Sequence, residues 1–300
     1  MTGIDLRHMP ASVRTLDHAD WNGTPSNAIV LEAAAELEAG DVVFLPDLSF
    51  GIEAGEALLL TPAILGGSKN ASYDPSSGRL KGTTATGRDA ETLRGFMRRF
   101  SDSATSLLRH LLPAYRDQLA RARASFRPVE IAGRTTSWRK DDTRLHVDCF
   151  PATPSGGSRI LRVFCNVNPQ GRARAWRIGD DFEAVARRFA PELRLPLPGT
   201  GHLLALLCVT KTPRSAYDSL MLQLHDRMKA DEDFQSRCPQ AAVEFPAGST
   251  WLAFTDQVSH AATRGQFQLE QTFLLPVEAM GEPERSPLRV LERIKGRRLA

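Results

Sequence analysis

His146-Val147-Asp148 sets an imidazole and a carboxylate two residues apart. In an extended strand, positions i and i+2 face the same side, so the two groups converge on one point. A second imidazole there would complete a set of two histidines and one carboxylate. Such a set leaves adjacent coordination positions open, as in non-haem Fe(II) oxygenases. With 7 His and 35 acidic residues in 300 positions, roughly one H-x-D/E pair arises by chance, and His18-Ala19-Asp20 is a second example. Context separates them, because His18 lies in a polar, irregular stretch whereas His146 follows a strand-like run and precedes Cys149-Phe150. The third ligand is expected at His260 in TDQVSHAATRGQ, after the strand and turn signals of PAGSTWLAFTD. His202, His225 and His110 compete, the last two from helical stretches.

Oxygenases of this kind use 2-oxoglutarate, whose distal carboxylate needs a cationic grip. The strand after His260, QFQLEQTFLLP, puts Gln268, Glu270 and Thr272 on one face and Phe267, Leu269 and Phe273 on the other. Its polar face therefore carries an acid and no base. In RILRVFCNV, Arg162, Phe164 and Asn166 alternate with Leu161, Val163 and Cys165, which turns one Arg inward among apolar neighbours where a bidentate grip is strong. Arg162 is the expected anchor, with Arg159 and Arg264 in reserve. Pairing of Arg162 with Glu270 is the structural alternative, and both roles could hold together.

The elements that must position these groups follow from periodicity and turn signals. A helix through Ala33–Ala39 ends at Gly40, and VVFLPDLSF supplies an apolar run of strand length. Residues 66–82 read as a turn-rich loop holding Lys69 and Lys81, and residues 89–125 as helix interrupted near Pro113. From Arg134 onward the chain turns to short strand-like runs (TTSWRKDDTRLHVDCF, RILRVFCNV, HLLALLCVT, STWLAFTD, QFQLEQTFLLP), with one helical insertion over about 214–230. The expected fold class is α+β, a double-stranded β-helix (jelly roll, cupin-like) flanked by helices. Residues 1–284 are expected to form one such domain with an N-terminal helical wall.

Composition bounds the rest. A content of 42% hydrophobic and 24% charged residues is globular and excludes wholesale disorder. Cys149, Cys165, Cys208 and Cys238 lie far apart, which excludes a zinc knuckle and a disulfide framework and suits a reducing compartment. There is no signal-like N-terminus and no apolar run of spanning length, so a cytoplasmic protein, possibly peripheral on a membrane, is expected. The basic residues comprise 32 Arg and 6 Lys against 35 acids, a net +3. Residues 285–300 alone hold six bases and Glu292, which leaves the body slightly acidic and disfavours a nucleic-acid partner. Arg285, Arg289, Arg293 and Arg297 recur along one helical face of this tail, opposite Leu288, Val290, Leu291 and Ile294. It reads as a helix for an anionic membrane surface or as one packed on the body.

The stretches HVDCFPATPSGGSRILRVFCNVNP, ARAWRIGDDF, RSAYDSLMLQLHDRMKAD and STWLAFTDQVSHAA, with KNASYDP upstream, together resemble the Kdo (3-deoxy-D-manno-oct-2-ulosonic acid) hydroxylases. These are Fe(II)- and 2-oxoglutarate-dependent dioxygenases of Gram-negative bacteria. The resemblance spans most of the chain. It implies His146, Asp148 and His260 as iron ligands, 2-oxoglutarate and O2 as cosubstrates, and hydroxylation of Kdo at its third carbon in Kdo-lipid A or its precursor. Such a substrate is anionic and should meet cations at the pocket mouth. Lys69, Trp138 and Arg139 before the metal motif, and Arg214 and Tyr217 at the helical insertion, are the candidates, and each could equally be an ordinary surface or core residue. Trp176 could be a core aromatic or a cosubstrate wall. A lipid-linked substrate would also give the basic tail a place at the inner leaflet. The alternatives are a dioxygenase of the same chemistry for another small acidic metabolite or lipid, and a metal-free sugar-binding jelly roll.

Overall fold

Strand alternation on both sides of one long sheet decides how this chain packs. The structure, a computed structural model, describes residues 11–300. Two short strands flank the first helix: β1 (Val13–Thr15), α1 (Asn27–Ala39) and β2 (Val42–Leu45). Ser26 caps the start of α1, and Gly40 at φ 95° closes it in the left-handed region that glycine enters without strain. The turn-rich stretch that follows is not wholly a loop. It folds into a hairpin of β3 (Ala71–Asp74) and β4 (Arg79–Lys81).

The longest helix, α2 (Gly87–Leu111), carries Leu93, Phe96, Met97, Phe100, Ala104, Leu107, Leu108 and Leu111 as one buried stripe. It stops well short of residue 125. Pro113 breaks the helix, and β5 (Ala120–Arg127) pairs instead with the late strand β11 (Gln268–Leu275). The expected run of helix to 125 is corrected here, because β5 alternates Ala122, Ala124 and Phe126 toward the helices against Arg123, Ser125 and Arg127.

Further along come β6 (Arg159–Asn166), β7 (Arg174–Gly179), α3 (Phe182–Phe189), α4 (Thr200–Leu206), α5 (Ala216–Ala230) and α6 (Glu232–Arg237). Then follow β8 (Gln240–Phe245), β9 (Thr250–Phe254), β10 (His260–Arg264), β11 and the terminal helix α7 (Pro287–Lys295). HLLALLCVT lies in and just after α4 rather than in a strand. It has no alternating polar partner face and no strand beside it. The insertion expected over 214–230 is α5, opened by a capping box between Ser215 and Asp218.

An eight-stranded mixed sheet runs in the order β1-β2-β9-β6-β11-β5-β3-β4, and a three-stranded sheet in the order β10-β7-β8. The outer face of the large sheet presents Leu161, Val163, Leu252, Phe254 and Phe273 to α2, α5 and α7 in one apolar cluster. Its inner face presents Phe164, Trp251 and Ala253 to Trp176, Ile178 and Phe245 of the small sheet. Phe245 and Trp251 stack at 4.1 Å, fastening one end of the space between the sheets.

The 285–300 segment is part of the body. Leu288, Val290, Leu291 and Leu299 are buried in the helix-side cluster, and the Tyr217 amide donates to the Leu299 carbonyl at 3.0 Å. Three of its five arginines are ion-paired: Arg289 with Glu292 and Glu278, Arg293 with Glu183 and Glu284, and Arg285 with Glu282. Read from sequence as a basic tail set apart from residues 1–284, it has no free apolar face. Its leucines complete the cover over the sheet.

Candidate metal centre and cosubstrate pocket

The two histidines meet through the backbone. The His146 amide donates to the His260 carbonyl at 3.0 Å, and the His260 amide returns the bond at 2.9 Å, an isolated antiparallel bridge beside β10. The Asp148 amide donates to Thr255 at 2.7 Å. His146-Val147-Asp148 is therefore held by single bridges to the 255–260 segment and does not form a strand of its own, although the same-side logic of alternation still applies. Ligand atoms of His146, Asp148 and His260 all lie within 4.8 Å of one another.

Each imidazole is fixed by its far nitrogen. His146 Nδ1 meets the Arg144 carbonyl at 2.8 Å, and His260 Nδ1 meets the Val258 carbonyl at 2.8 Å. An Nδ1–H donated to a carbonyl leaves Nε2 with a free lone pair, the form a metal binds. Burial, reinforced by the neighbouring His260, pushes the His146 imidazole well below its usual range, and burial lowers His260 as well. Both stay neutral and able to ligate. Burial alone would raise the Asp148 carboxyl, but the Arg162 guanidinium beside it outweighs burial and holds the group ionised. Asp148 Oδ2 faces the Arg162 guanidinium at 3.3 Å, while Oδ1 lies 3.9 Å from His146 Nε2, a separation that leaves room for a cation shared between them. Two neutral imidazoles and one carboxylate with an open side suit Fe(II).

A cavity of about 110 Å³ opens from this cluster, its walls including Arg127, Asp142, Arg162, Phe164, Arg174, Trp176, Gln268 and Glu270. Trp176 stacks on His260 at 5.0 Å and 23°, and is at once a core aromatic of the space between the sheets and a wall of the cavity. Arg162 stands 3.3 Å from Asp148 and 3.4 Å from Glu270. Glu270 is also gripped by Arg127 at 2.9 Å and 3.1 Å. Arg174 donates to the Gly265 carbonyl at 2.9 Å, while its Nε, like Trp176 Nε1 and Arg162 Nε, has no acceptor. Burial and the like charge of Arg127 push Arg174 down to about 9, so it remains a cation at neutral pH. The walls hold three guanidiniums against Asp142, Asp148 and Glu270.

The other sequence candidates divide. Lys69 pairs with Asp142 at 3.1 Å and so touches the cavity rim. Arg139 lies over the Trp138 ring at 4.0 Å and pairs with Asp226, well exposed. Arg214 donates to the Pro151 carbonyl at 2.6 Å. Tyr217 is buried in the helix-side cluster and lines a small pocket with Asp148, Phe150 and Arg214. Among the competing histidines, His225 on α5 packs edge-on against His146 at 5.4 Å, and Lys229 one turn later is buried and reaches the Arg139 carbonyl. Arg127 and Arg174 were missed. The first lies two residues past the run read as helix, in a stretch given no element. The second was legible as the same-face neighbour of Trp176 two residues on.

Comparison with known proteins joins this geometry to a family. The family described as 3-deoxy-D-manno-oct-2-ulosonic acid (Kdo) hydroxylase matches over residues 20–298. The chain belongs to the Kdo hydroxylase family. Among solved structures, the Kdo hydroxylase KdoO, a non-haem Fe(II) α-ketoglutarate-dependent dioxygenase in complex with α-ketoglutarate and Fe(III), is 47% identical with a TM-score of 0.93. The match covers 96% of this chain and 97% of that one. The cobalt(II) complex of KdoO matches at 48% identity over the same shares and TM-score 0.93, and the complex with succinate and Fe(III) at 47% and 0.92, again over 96% and 97%. No curated protein matched. The metal-free sugar-binding alternative has no support here, because the KdoO structures this chain matches hold Fe(III) or cobalt(II).

Proposed function

We propose that this Kdo hydroxylase family member is an Fe(II)- and 2-oxoglutarate-dependent dioxygenase that hydroxylates Kdo at its deoxygenated third carbon, in Kdo-lipid A or its precursor. The observation that carries the reading is the convergence of His146, Asp148 and His260 within 4.8 Å, in a fold 47% identical to a Kdo hydroxylase. In this reading the two facing sheets are the halves of a jelly roll with the metal between them. Bound Fe(II), with 2-oxoglutarate and O2, supplies the oxidising power for insertion of one oxygen into a C–H bond. The chain's own residues orient the reactants and keep water away.

Charge supports the cosubstrate. The three guanidiniums and three carboxylates that line the cavity balance, and Lys69 and Arg134 on Asp142 add positive charge at the rim, so a divalent cation needs a dianion beside it, and 2-oxoglutarate is one. Arg162 is committed to Asp148 and Glu270, which favours a role in fixing the metal-binding carboxylate. Arg174, a buried cation with an unused Nε and the orphan indole N–H of Trp176 on the same strand face, fits the distal carboxylate better. Arg174→Gln should then raise KM for 2-oxoglutarate by tenfold or more with little change in metal affinity.

We assign Lys69, which pairs with the cavity-lining Asp142, and the exposed Arg139 to the Kdo carboxylate or the lipid phosphates. The test of the whole reading is incubation with Fe(II), 2-oxoglutarate, O2 and a Kdo-bearing lipid A precursor, followed by mass spectrometry. One added oxygen and stoichiometric succinate are expected. Succinate release with other acidic metabolites and none with the Kdo lipid would overturn it.

A further inference from the structure

Among the described residues, large hydrophobic side chains that face solvent number eight, and six of them (Leu195, Leu197, Leu203, Leu206, Leu207 and Val209) fall in one stretch around α4. Leu197 and Leu206 are each 79% exposed, more than a partly packed side chain would be. Contiguous apolar surface of this kind marks an interaction site.

The stretch is built, not frayed. Leu203 donates to Gly199 at 3.0 Å and Leu207 to Leu203 at 2.9 Å, and Cys208 at φ 56° turns the chain so that the Val209 amide returns to Leu204 at 2.9 Å. Its neck is tight. A Cβ on Gly201 would come within 2.1 Å of the Arg214 carbonyl oxygen, so only glycine lets the two limbs approach. The backbone thus holds the leucines outward.

Charge selects the partner. Residues 193–217 contain no Asp or Glu, but include Arg194, Lys211 and Arg214. The acids at either end are already engaged, Glu192 with Arg227 at 2.6 Å and Asp218 in the Ser215 cap and the 155–156 amides. An aliphatic knob without aromatic anchors, ringed by cations, matches acyl chains beneath anionic headgroups better than a protein surface. The knob also sits beside the site. The Lys211 backbone amide donates to the Ala152 carbonyl at 3.0 Å and the Arg214 side chain to the Pro151 carbonyl at 2.6 Å, in the loop that leaves the metal ligand Asp148.

We infer that residues 195–209 are a membrane-docking element that enters the surface of an anionic bilayer and sets the cavity mouth against it. This goes beyond the substrate assignment and does not depend on it. The experiment uses vesicles free of Kdo. Purified wild-type protein is mixed with phosphatidylcholine vesicles, with or without one-quarter phosphatidylglycerol, and binding is read by flotation. An environment-sensitive dye on Cys208, the exposed one of the four free cysteines, gives a second readout.

Wild type should bind the anionic vesicles and shift the dye to the blue. Leu206→Gln/Leu207→Gln should lose about tenfold in binding for each leucine, with thermal stability unchanged. Arg194→Gln/Lys211→Gln should lose only the preference for phosphatidylglycerol. Leu58→Gln, an exposed leucine outside the patch, should bind as wild type. Absence of wild-type binding, or equal binding by the double-leucine variant, overturns the inference. So does a wild-type dimer that the leucine changes dissociate without altering vesicle binding, which would make the patch an interface between copies.

Discussion

Arg162 shares one guanidinium between a metal-binding carboxylate and Glu270, and both partners depend on it. Arg162→Gln should free Asp148 to rotate and leave the Glu270 charge to Arg127 alone. Metal affinity, followed by anaerobic Co(II) titration, should fall by about 10- to 100-fold. An unchanged titration would show that Asp148 is oriented by its backbone bond to Thr255. Glu270 gives the complementary test. Its carboxyl is raised by burial but lowered further by Arg127 and Arg162, and Asp142 is likewise lowered on balance by Arg127 and Lys69. A folded-state value below the unfolded one means that the unfolded chain takes up protons first. The stability these groups contribute is present above about pH 4.5 and is lost as pH falls through their depressed values. Glu270→Gln should therefore cost about 3–5 kcal/mol at pH 7, by stranding two buried arginines, and should flatten the acid limb of urea-unfolding curves. The ligands themselves were legible in the sequence because their spacing obeys strand alternation. Pairing was not legible, since Arg127, Arg162 and Arg174 look equivalent in the sequence and differ only in which carboxylate or carbonyl each engages in the fold.

At the scale of elements, strands with alternating faces were readable and amphipathic ends were not. β6, β9 and β11 fall where RILRVFCNV, STWLAFTD and QFQLEQTFLLP put them, because one face of each buries against helices and the other against the small sheet. α7 was ambiguous from its own residues. Four apolar positions suit a bilayer or a protein core, and only the acids waiting at Glu183, Glu278 and Glu284 decide for the core. Leu291→Ala should then destabilise the whole protein by about 2–5 kcal/mol, because the side chain is completely buried. Arg293→Gln, which removes a half-exposed pair, should cost less than about 1 kcal/mol. Chemical denaturation of the two variants separates these outcomes. A larger effect at Arg293 than at Leu291 would mean that charge, not packing, holds the segment down.

For the molecule as a whole, the charge of the site ties metal and cosubstrate together. Empty of ligands, the six ionised groups that line the cavity balance, with Lys69 and Arg134 on Asp142 adding positive charge only at the rim. A bound dication leaves an uncompensated positive charge in a buried place, and a dianionic cosubstrate alone leaves an uncompensated negative one. Each should therefore bind weakly without the other, and because coupling is reciprocal, each should strengthen the other by the same factor. Thermal unfolding reads this directly, since a ligand that binds only the folded state adds about 2.7 kcal/mol at a concentration one hundred times its Kd. Co(II) and 2-oxoglutarate together should raise Tm by more than the sum of their separate shifts. His260→Ala should remove the excess, because the metal loses a ligand while Arg174 keeps its place. Glutarate, a dicarboxylate of similar length without the 2-oxo group, should show a smaller excess with Co(II). Additive shifts in wild type would mean that the two ligands occupy the cavity independently, and the charge-balance account of the site would fail.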